Sequence, residues 1–241
     1  WLSREVIALP AFMGALFLYG AAHWLDWQAP LVQLGSVGFN ASMLAGALAT
    51  VLCFVLFVCT GMIYAAIKFL QEWHSPLTVL NFILLGGASG FTLATAHAAF
   101  MAPALIEFYG GWAILLTVLA FVARVAALVR NARLRPKSTL QSAIGIRHTR
   151  VEQKAQGFMG GAFNTREFFH GQSALRLRAV KWVFLLLTFP LPVALLALGL
   201  KGAASPLVLA AAVQYAGLLA ERWFFFVQAN HPQNLYYQRI A

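Results

Sequence analysis

The stretch VGFNASMLAGALATVLCFVLFVCTGMIYAAI occupies residues Val37–Ile67 and contains no charged side chain. A helix needs about 20 predominantly apolar residues to cross a hydrocarbon core roughly 30 Å thick. This stretch exceeds that length, so it predicts a transmembrane helix.

Five further apolar stretches flank it on both sides. They predict additional spans at Val6–Leu25, Leu77–Phe100, Trp112–Val129, Lys181–Leu200 and Pro206–Gln228. The composition agrees, because 61% hydrophobic residues, 10% charged residues and a mean hydropathy of +0.75 lie outside the range of soluble domains. We therefore predict an all-α, polytopic transmembrane helix bundle that forms a single membrane domain over residues 1–241.

Basic residues are distributed unevenly between the predicted connections. Sixteen of the 17 lysines and arginines fall on one side, with Arg124 one turn inside the fourth span, and Lys201 alone falls on the other side. By the positive-inside rule, both chain ends, a long basic loop at residues 130–180 and a tail at residues 229–241 are predicted to be cytoplasmic. Acidic lipid headgroups or an acidic partner explain the net charge of +10 better than nucleic acid, since no nucleic-acid module is recognisable.

The chain offers few ligands for a metal or a haem. Its two cysteines, Cys53 and Cys59, lie about 240° apart around a helix, so they do not share a face and are predicted to be small packing residues. His23 and His97 fall toward the same end of their spans, but they match the paired axial ligands of a b-type haem poorly. We expect no metal site and no haem here, and we expect any metal redox centre to belong to another subunit.

Ionisable residues at the edges of the spans are the candidate site. Arg4 and Glu5 open the first span, while Glu221 and Arg222 lie about 23 Å along the sixth predicted helix, at the same leaflet. A charge in hydrocarbon is energetically costly and tends to be paired or functional. Two structural interpretations stay open: Glu5 as a first-turn carboxylate after an N-cap at Ser3, and Glu221–Arg222 as a pair that snorkels to the interface.

Two segments outside the spans are rich in aromatic residues. Residues 157–171 read GFMGGAFNTREFFHG, and the tail after the last span contains the stretch NHPQNLYYQ at residues 230–238. Such segments are poorly suited to free solvation, so we predict that they dock to a partner, with anchoring at the membrane surface as the alternative. The predicted docking residues are Phe158, Phe163, Arg166, Phe168, Phe169, His231, Tyr236 and Tyr237.

The middle of the spans carries Cys, Gly, Ala, Leu and Phe rather than charged residues. Neither an internal repeat nor broken helices in corresponding positions are evident, which argues against a secondary transporter. A transporter or channel without redox partners is the competing functional class. Pro190 and Pro192 are expected to bend the fifth span.

Three separated motifs carry a family resemblance. WLSRE at residues 1–5, the stretch at residues 157–171, and AERWFFF at residues 220–226 with the tail that follows resemble the membrane-anchor subunits of the dimethyl sulfoxide reductase (DmsC) family. Within it, the chain is most similar to the anchors of cytoplasm-facing, quinone-linked sulfite dehydrogenases. The resemblance covers nearly all of the chain.

The resemblance implies a three-part complex in a bacterial inner membrane. Its other members are a molybdopterin catalytic subunit and an iron–sulfur, ferredoxin-like electron-transfer subunit. The anchor itself holds no substrate active site and usually no haem, and it exchanges electrons with a quinone, either ubiquinone or menaquinone. Such anchors have about eight spans, of which six are visible here, with the other two expected before Trp1.

The resemblance also implies a quinone site. In the family, quinone chemistry is associated with the acidic residue of a Leu-Ser-x-Glu motif, which is Glu5 here. A carboxylate at the mouth of a pocket can pass protons to or from a quinone. The predicted quinone-binding residues are Trp1, Ser3, Arg4, Glu5, Glu221 and Arg222. Sulfite oxidation is the favoured reaction of the complex, and menaquinol oxidation by a sulfoxide reductase is the alternative.

Overall fold

The computed structural model describes residues 1–27, 29–135, 137, 139–148, 150 and 173–229. Within them, the chain forms helices joined by short connections and one β-hairpin. The elements in chain order are α1 (Leu2–Trp24), β1 (Pro30–Leu34), β2 (Val37–Asn40), α2 (Ala41–Ala65), α3 (Pro76–Met101), a 3-10 helix (Pro103–Leu105), α4 (Ile106–Ala132), α5 (Leu140–Ile144), α6 (Ala174–Thr188), α7 (Pro190–Gly199) and α8 (Ala204–Val227).

Six helical segments are long and apolar enough to cross a membrane, which confirms the predicted fold class. They are Leu2–Trp24, Ala41–Ala65, Pro76–Met101, Pro103–Ala132, Ala174–Gly199 and Ala204–Val227. The protein is therefore a multi-pass membrane protein. The predicted docking residues of the long loop and the tail all lie outside the described residues.

The second span begins later than predicted. Val37–Asn40 forms strand β2, which pairs antiparallel with β1 across a turn where Gly35 has a φ of 64°, a conformation that favours glycine. The Asn40 side chain then accepts a 2.9 Å hydrogen bond from the Met43 backbone N–H and caps α2. The apolar run alone could not mark this boundary, and the predicted loop before it contains β1.

The fourth span begins earlier than predicted, at Ile106 rather than Trp112. Pro103 opens the preceding 3-10 helix, a position where its missing N–H costs nothing, and Glu107 places a negative charge in the first turn of α4. Pro103 and Glu107 both lie in the segment between the third and fourth predicted spans, which was predicted to be a loop.

The fifth span is broken at its centre, as its prolines predicted. α6 ends at Thr188 and α7 begins at Pro190. In a continuous helix the Thr188 carbonyl would accept a hydrogen bond from residue 192, but Pro192 has no N–H. The Gln214 side-chain amide on α8 donates to this carbonyl instead, at 3.3 Å.

The middle of the bundle is more polar than the predicted Cys, Gly, Ala, Leu and Phe. Gln214, Thr117 and Thr188 are all buried near the middle of their spans, and the helix break lies beside them. Gln214 Nε2 also donates to Thr117 Oγ1 at 3.2 Å. The side-chain amide of α8 is therefore satisfied by acceptors on α4 and α6. The arrangement depends on three helices together, so no single span reveals it.

The centre of the bundle is formed by α3 and α8. Helix α3 packs against α2, α4 and α8, whereas α8 also packs against α6 and α7, and α1 packs against α2 at the edge. The start of α1, the α2–α3 connection, the end of α4 and the end of α8 share one end of the bundle, as contacts such as Glu5 with Thr60 and Trp73 with Phe225 show. We call this the basic end, and Lys201 lies at the opposite end between α7 and α8.

Candidate functional site

A cluster of aromatic rings closes the basic end. Trp73 stacks on Phe225 with centroids 5.2 Å apart, and its Nε1 donates a 3.0 Å hydrogen bond to the Phe225 carbonyl. Tyr64 stacks on Phe82 and makes edge contacts with Trp73, Phe225 and Phe226. We call these five residues the aromatic cluster. It fixes α2, α3 and α8 against the connection between α2 and α3.

A buried ion cluster lies directly beneath these rings. Glu221 is 0% exposed, and its Oε1 lies 2.8 Å from the Nε of Arg124, which is 3% exposed. Arg222 reaches the other oxygen, Oε2, through Nη2 at 2.5 Å and Nε at 2.6 Å. Glu221 therefore does not snorkel to the interface, and that interpretation of the Glu221–Arg222 pair was wrong.

Arg222 joins the ion cluster to the aromatic cluster. Its guanidinium carbon lies 4.4 Å from the centre of the Phe82 ring and 4.9 Å from that of Phe225. A cation over an aromatic face is attracted by the ring quadrupole. With 30% of its side chain exposed, Arg222 is the member of the ion cluster that reaches the surface.

Arg124 is the site residue that the sequence reasoning missed. It projects from α4 into the protein interior, with its guanidinium carbon 5.5 Å from the centre of the Phe184 ring. The cluster contains one carboxylate and two guanidinium groups, so it carries a net positive charge. The available signal was the position of Arg124 one turn inside a span, because charges at such depth are rarely unpaired.

The first turn of α1 holds the second acid. Glu5 is partly buried, and its Oε1 accepts a 2.5 Å hydrogen bond from Thr60 Oγ1 on α2. The expected N-cap at Ser3 was wrong, because α1 starts at Leu2 and Trp1 occupies the capping position without a side-chain bond. The Arg4 guanidinium carbon lies 4.2 Å from the centre of the Trp1 ring.

An apolar groove of about 740 Å³ runs between α1 and α2, and its lining includes Arg4 but neither Glu5 nor Thr60. Apart from Arg4, its lining is hydrophobic, and Ser3 does not take part in it. The lining residues are Trp1, Arg4, Ile7, Ala8, Ala11, Val51, Leu52, Phe54, Val55, Val58 and Cys59. Cys53 lines a different groove, between α1, α2 and α3, so the two cysteines point apart as their spacing predicted.

Tyr64 lies at the same end of the bundle as both acids. It is one helical turn beyond Thr60 on α2 and interacts electrostatically with both Glu5 and Arg222. The structure therefore brings the two predicted acid–base pairs to the same end of the bundle. Glu5 is partly buried in the first turn of α1, whereas Glu221 is enclosed.

The two histidines considered as haem ligands lie elsewhere. His23 is exposed near the end of α1, where its ring lies 4.7 Å from that of Tyr19. His97 is exposed on α3. Among the described residues, no three His, Cys, Asp or Glu side chains come together as a metal site would require.

Comparison with known proteins agrees with this architecture. The family described as DMSO reductase anchor subunit (DmsC) matches residues 1–225. The chain is 55% identical over 243 residues to a sulfite dehydrogenase subunit of Allochromatium vinosum, an alignment that covers all of this chain and 75% of that relative. No solved structure matches. The chain therefore belongs to the DmsC family and is the membrane-anchor subunit of an oxidoreductase complex.

Proposed function

We propose that this anchor serves a sulfite-oxidising complex and passes its electrons to membrane quinone, either ubiquinone or menaquinone. The name of the relative with 55% identity supports sulfite as the substrate of the complex. The electrons arrive from an iron–sulfur subunit, which receives them from a molybdopterin subunit. Both partners dock at the basic end, which faces the cytoplasm of a bacterial inner membrane.

The observation that carries the quinone proposal is the position of Glu5. Its carboxylate is partly buried and is fixed by Thr60, and the preceding residue, Arg4, lines the apolar groove between α1 and α2. A quinone needs an acid or base within reach of its carbonyl oxygens and an apolar surface for its isoprenoid tail. The groove and Glu5 supply these two requirements.

Trp1 and Arg4 form the end of the groove nearest to Glu5. The Trp1 ring offers a flat surface against which a quinone ring stacks, and the Arg4 guanidinium offers hydrogen-bond donors to a carbonyl oxygen. Reduction of a quinone to a quinol takes two electrons and two protons. The iron–sulfur subunit supplies the electrons, while Glu5 delivers protons to the reduced oxygen and is reprotonated from the aqueous phase.

Arg222 and Glu221 have a different part in this proposal. Arg222 is partly exposed and, like Glu5, interacts electrostatically with Tyr64, so its positive charge stabilises negative charge that develops on the quinone ring. Glu221 is enclosed by protein and contacts no quinone. It acts by holding the Arg222 guanidinium over Phe82 and Phe225.

The partner surface is proposed to include the aromatic segment at residues 157–171 and the tail. Phe158, Phe163, Arg166, Phe168 and Phe169 in the segment, and His231, Tyr236 and Tyr237 in the tail, are the proposed docking residues. Interfaces of this kind depend on a few buried aromatic side chains.

Purification of the complex from its native membrane tests the proposal. We expect a molybdenum-containing subunit and an iron–sulfur subunit to copurify, and sulfite to reduce added quinone in the purified complex. Reduction of an artificial acceptor but not of quinone would contradict the quinone role. Quinol-dependent reduction of a sulfoxide, without sulfite oxidation, would assign the anchor to a reductase instead.

A further inference from the structure

Buried polar atoms without partners occur as two pairs between the same four helices. Among the described residues, four buried side-chain atoms have neither a hydrogen bond nor an ion pair, and all four lie between α3, α4, α6 and α8. They are Asn81 Oδ1, Arg124 Nη2, Thr188 Oγ1 and Gln214 Oε1. Such atoms are rare in folded proteins and usually mark ordered water.

A small cavity lies at the pair nearest the basic end. Asn81 and Arg124 both line this cavity, whose volume of about 10 Å³ matches the space required by one water molecule. The amide of Asn81 is oriented by its Nδ2, which donates to the carbonyls of Leu77 at 2.7 Å and Ala123 at 3.5 Å. Its oxygen therefore stays available as an acceptor.

The chemistry of these two side chains selects water rather than an anion. Arg124 Nη2 is a donor and Asn81 Oδ1 is an acceptor, so an occupant must accept one hydrogen bond and donate another. Water does both. Chloride accepts only, and it would leave the Asn81 oxygen without a partner.

A second pair of unpartnered atoms lies deeper in the bundle. Gln214 is seven residues before Glu221 on α8, which is about 10 Å further from the basic end. Its Nε2 is used by Thr117 and by the Thr188 carbonyl, but its oxygen and the Thr188 hydroxyl have no partner. One water between them would satisfy both.

The cavity ends at an apolar layer toward the opposite end. Leu85, Ala120, Phe184 and Phe189 pack together there, and each is at most 5% exposed. Leu85 lies about one turn beyond Asn81 on α3, and Ala120 lies one turn beyond Arg124 on α4. This layer therefore separates the cavity from the Gln214–Thr188 pair.

We propose that the cavity beside Asn81 and Arg124 binds ordered water, which enters from the basic end and is stopped by the apolar layer, and that the Gln214–Thr188 pair beneath this layer holds a separate water. The proposal does not depend on the quinone role of the anchor. It explains how a charged cluster is kept at this depth, because water completes the hydrogen bonds that the helices leave open. It also makes Glu221 accessible to water from one face of the membrane only.

Radiolytic hydroxyl-radical labelling of the intact complex tests this directly, since radicals formed from bound water modify the side chains beside it. Phe184 and Leu207 are matched probes, because both are fully buried and only Phe184 contacts Arg124. With each rate normalised to that of the denatured chain, we expect clear modification of Phe184 and none of Leu207. Equal protection of both residues would show that the cavity beside Arg124 is dry.

A second test asks whether removal of the Thr188 hydroxyl raises or lowers the melting temperature of the anchor. If the Thr188 hydroxyl binds water, Thr188→Val should lower the melting temperature of the anchor by about 2–4 °C. The matched control is Thr92→Val, since Thr92 is equally buried and donates to the Ala88 carbonyl at 2.8 Å. A Thr188→Val protein that melts at the same or a higher temperature would contradict the proposal, because removal of an unsatisfied hydroxyl carries no such loss.

Discussion

Arg124 on α4 and Glu221 on α8 form an ion pair with 2.8 Å between Nε and Oε1, and both side chains are withdrawn from solvent. Glu221 also holds Arg222, so one carboxylate balances two guanidinium groups. The ion pair therefore connects α4 and α8 through their side chains. Because one carboxylate serves two guanidinium groups, removing the carboxylate should destabilise the cluster more than removing one guanidinium group.

The charge balance predicts an asymmetry between the two partners. Glu221→Gln leaves two guanidinium groups facing each other, one of them buried, and should destabilise the anchor by about 3–5 kcal/mol. Arg124→Gln leaves Glu221 paired with Arg222 and should cost clearly less. Thermal unfolding of the two purified variants measures the difference. Equal losses, or a larger loss for Arg124→Gln, would contradict the assignment of Glu221 as the shared counter-ion.

Glu5 is the residue on which the proposed quinone chemistry depends. Glu5→Gln should leave the complex assembled and able to reduce an artificial acceptor, while electron transfer to quinone falls by about 100-fold or more, the scale expected for loss of a positioned acid–base group. Glu107→Gln is the control, because Glu107 is also a first-turn carboxylate but lies at the opposite end, on α4. Wild-type quinone turnover in an assembled Glu5→Gln complex would reject the role of Glu5.

Close packing of α8 against α6 predicts that a larger residue at Gly217 would destabilise the anchor. A Cβ at Gly217 would lie 2.6 Å from both the backbone nitrogen and the hydroxyl of Thr188. Gly217→Ala should therefore destabilise the anchor by about 1–3 kcal/mol through overpacking. Gly90→Ala on α3 has open space around the new methyl group and should be neutral or slightly stabilising. Comparable melting temperatures for the two variants would show that α6 and α8 are not packed this closely.

The orientation of the bundle follows from the placement of its basic residues. A reporter enzyme that is active only outside the cytoplasm should be inactive when fused after Gln141, since a folded orientation with that loop outside would oppose the charge bias. The same reporter fused after Gly202, in the connection that contains Lys201, should be active. The reverse pattern of activities would overturn the proposed cytoplasmic location of the basic end.

The number of spans was predictable because the length of an apolar run is a local property of the chain. The break at Pro190 and Pro192 was predictable for the same reason, since proline acts on its own helix. The start of α2 was missed because the Asn40 cap and the hairpin lie within residues that are themselves largely apolar. The local sequence therefore predicts which helices form better than it predicts the residues at which they begin and end.

The candidate site was predictable only in part. Glu5 and Glu221 were placed at one end correctly, because helix rise alone fixes their depth. The partners of these acids were not predicted, since Thr60 and Arg124 are distant in sequence and meet them only through helix packing. The two acids also differ in burial, since Glu5 is partly buried and Glu221 is fully buried, and no single-helix pattern distinguishes these environments.

The apolar layer formed by Leu85, Ala120, Phe184 and Phe189 has an electrical consequence. A membrane potential falls across the low-dielectric material that separates two aqueous phases, and moving one elementary charge through it changes the energy by about 2.3 kcal/mol per 100 mV. With water in the cavity beside Asn81 and Arg124, most of that voltage falls across the apolar layer and the part of the bundle beyond it. The Arg124–Glu221 pair then lies near the potential of the basic end, so redox chemistry at that end moves little charge through the membrane field.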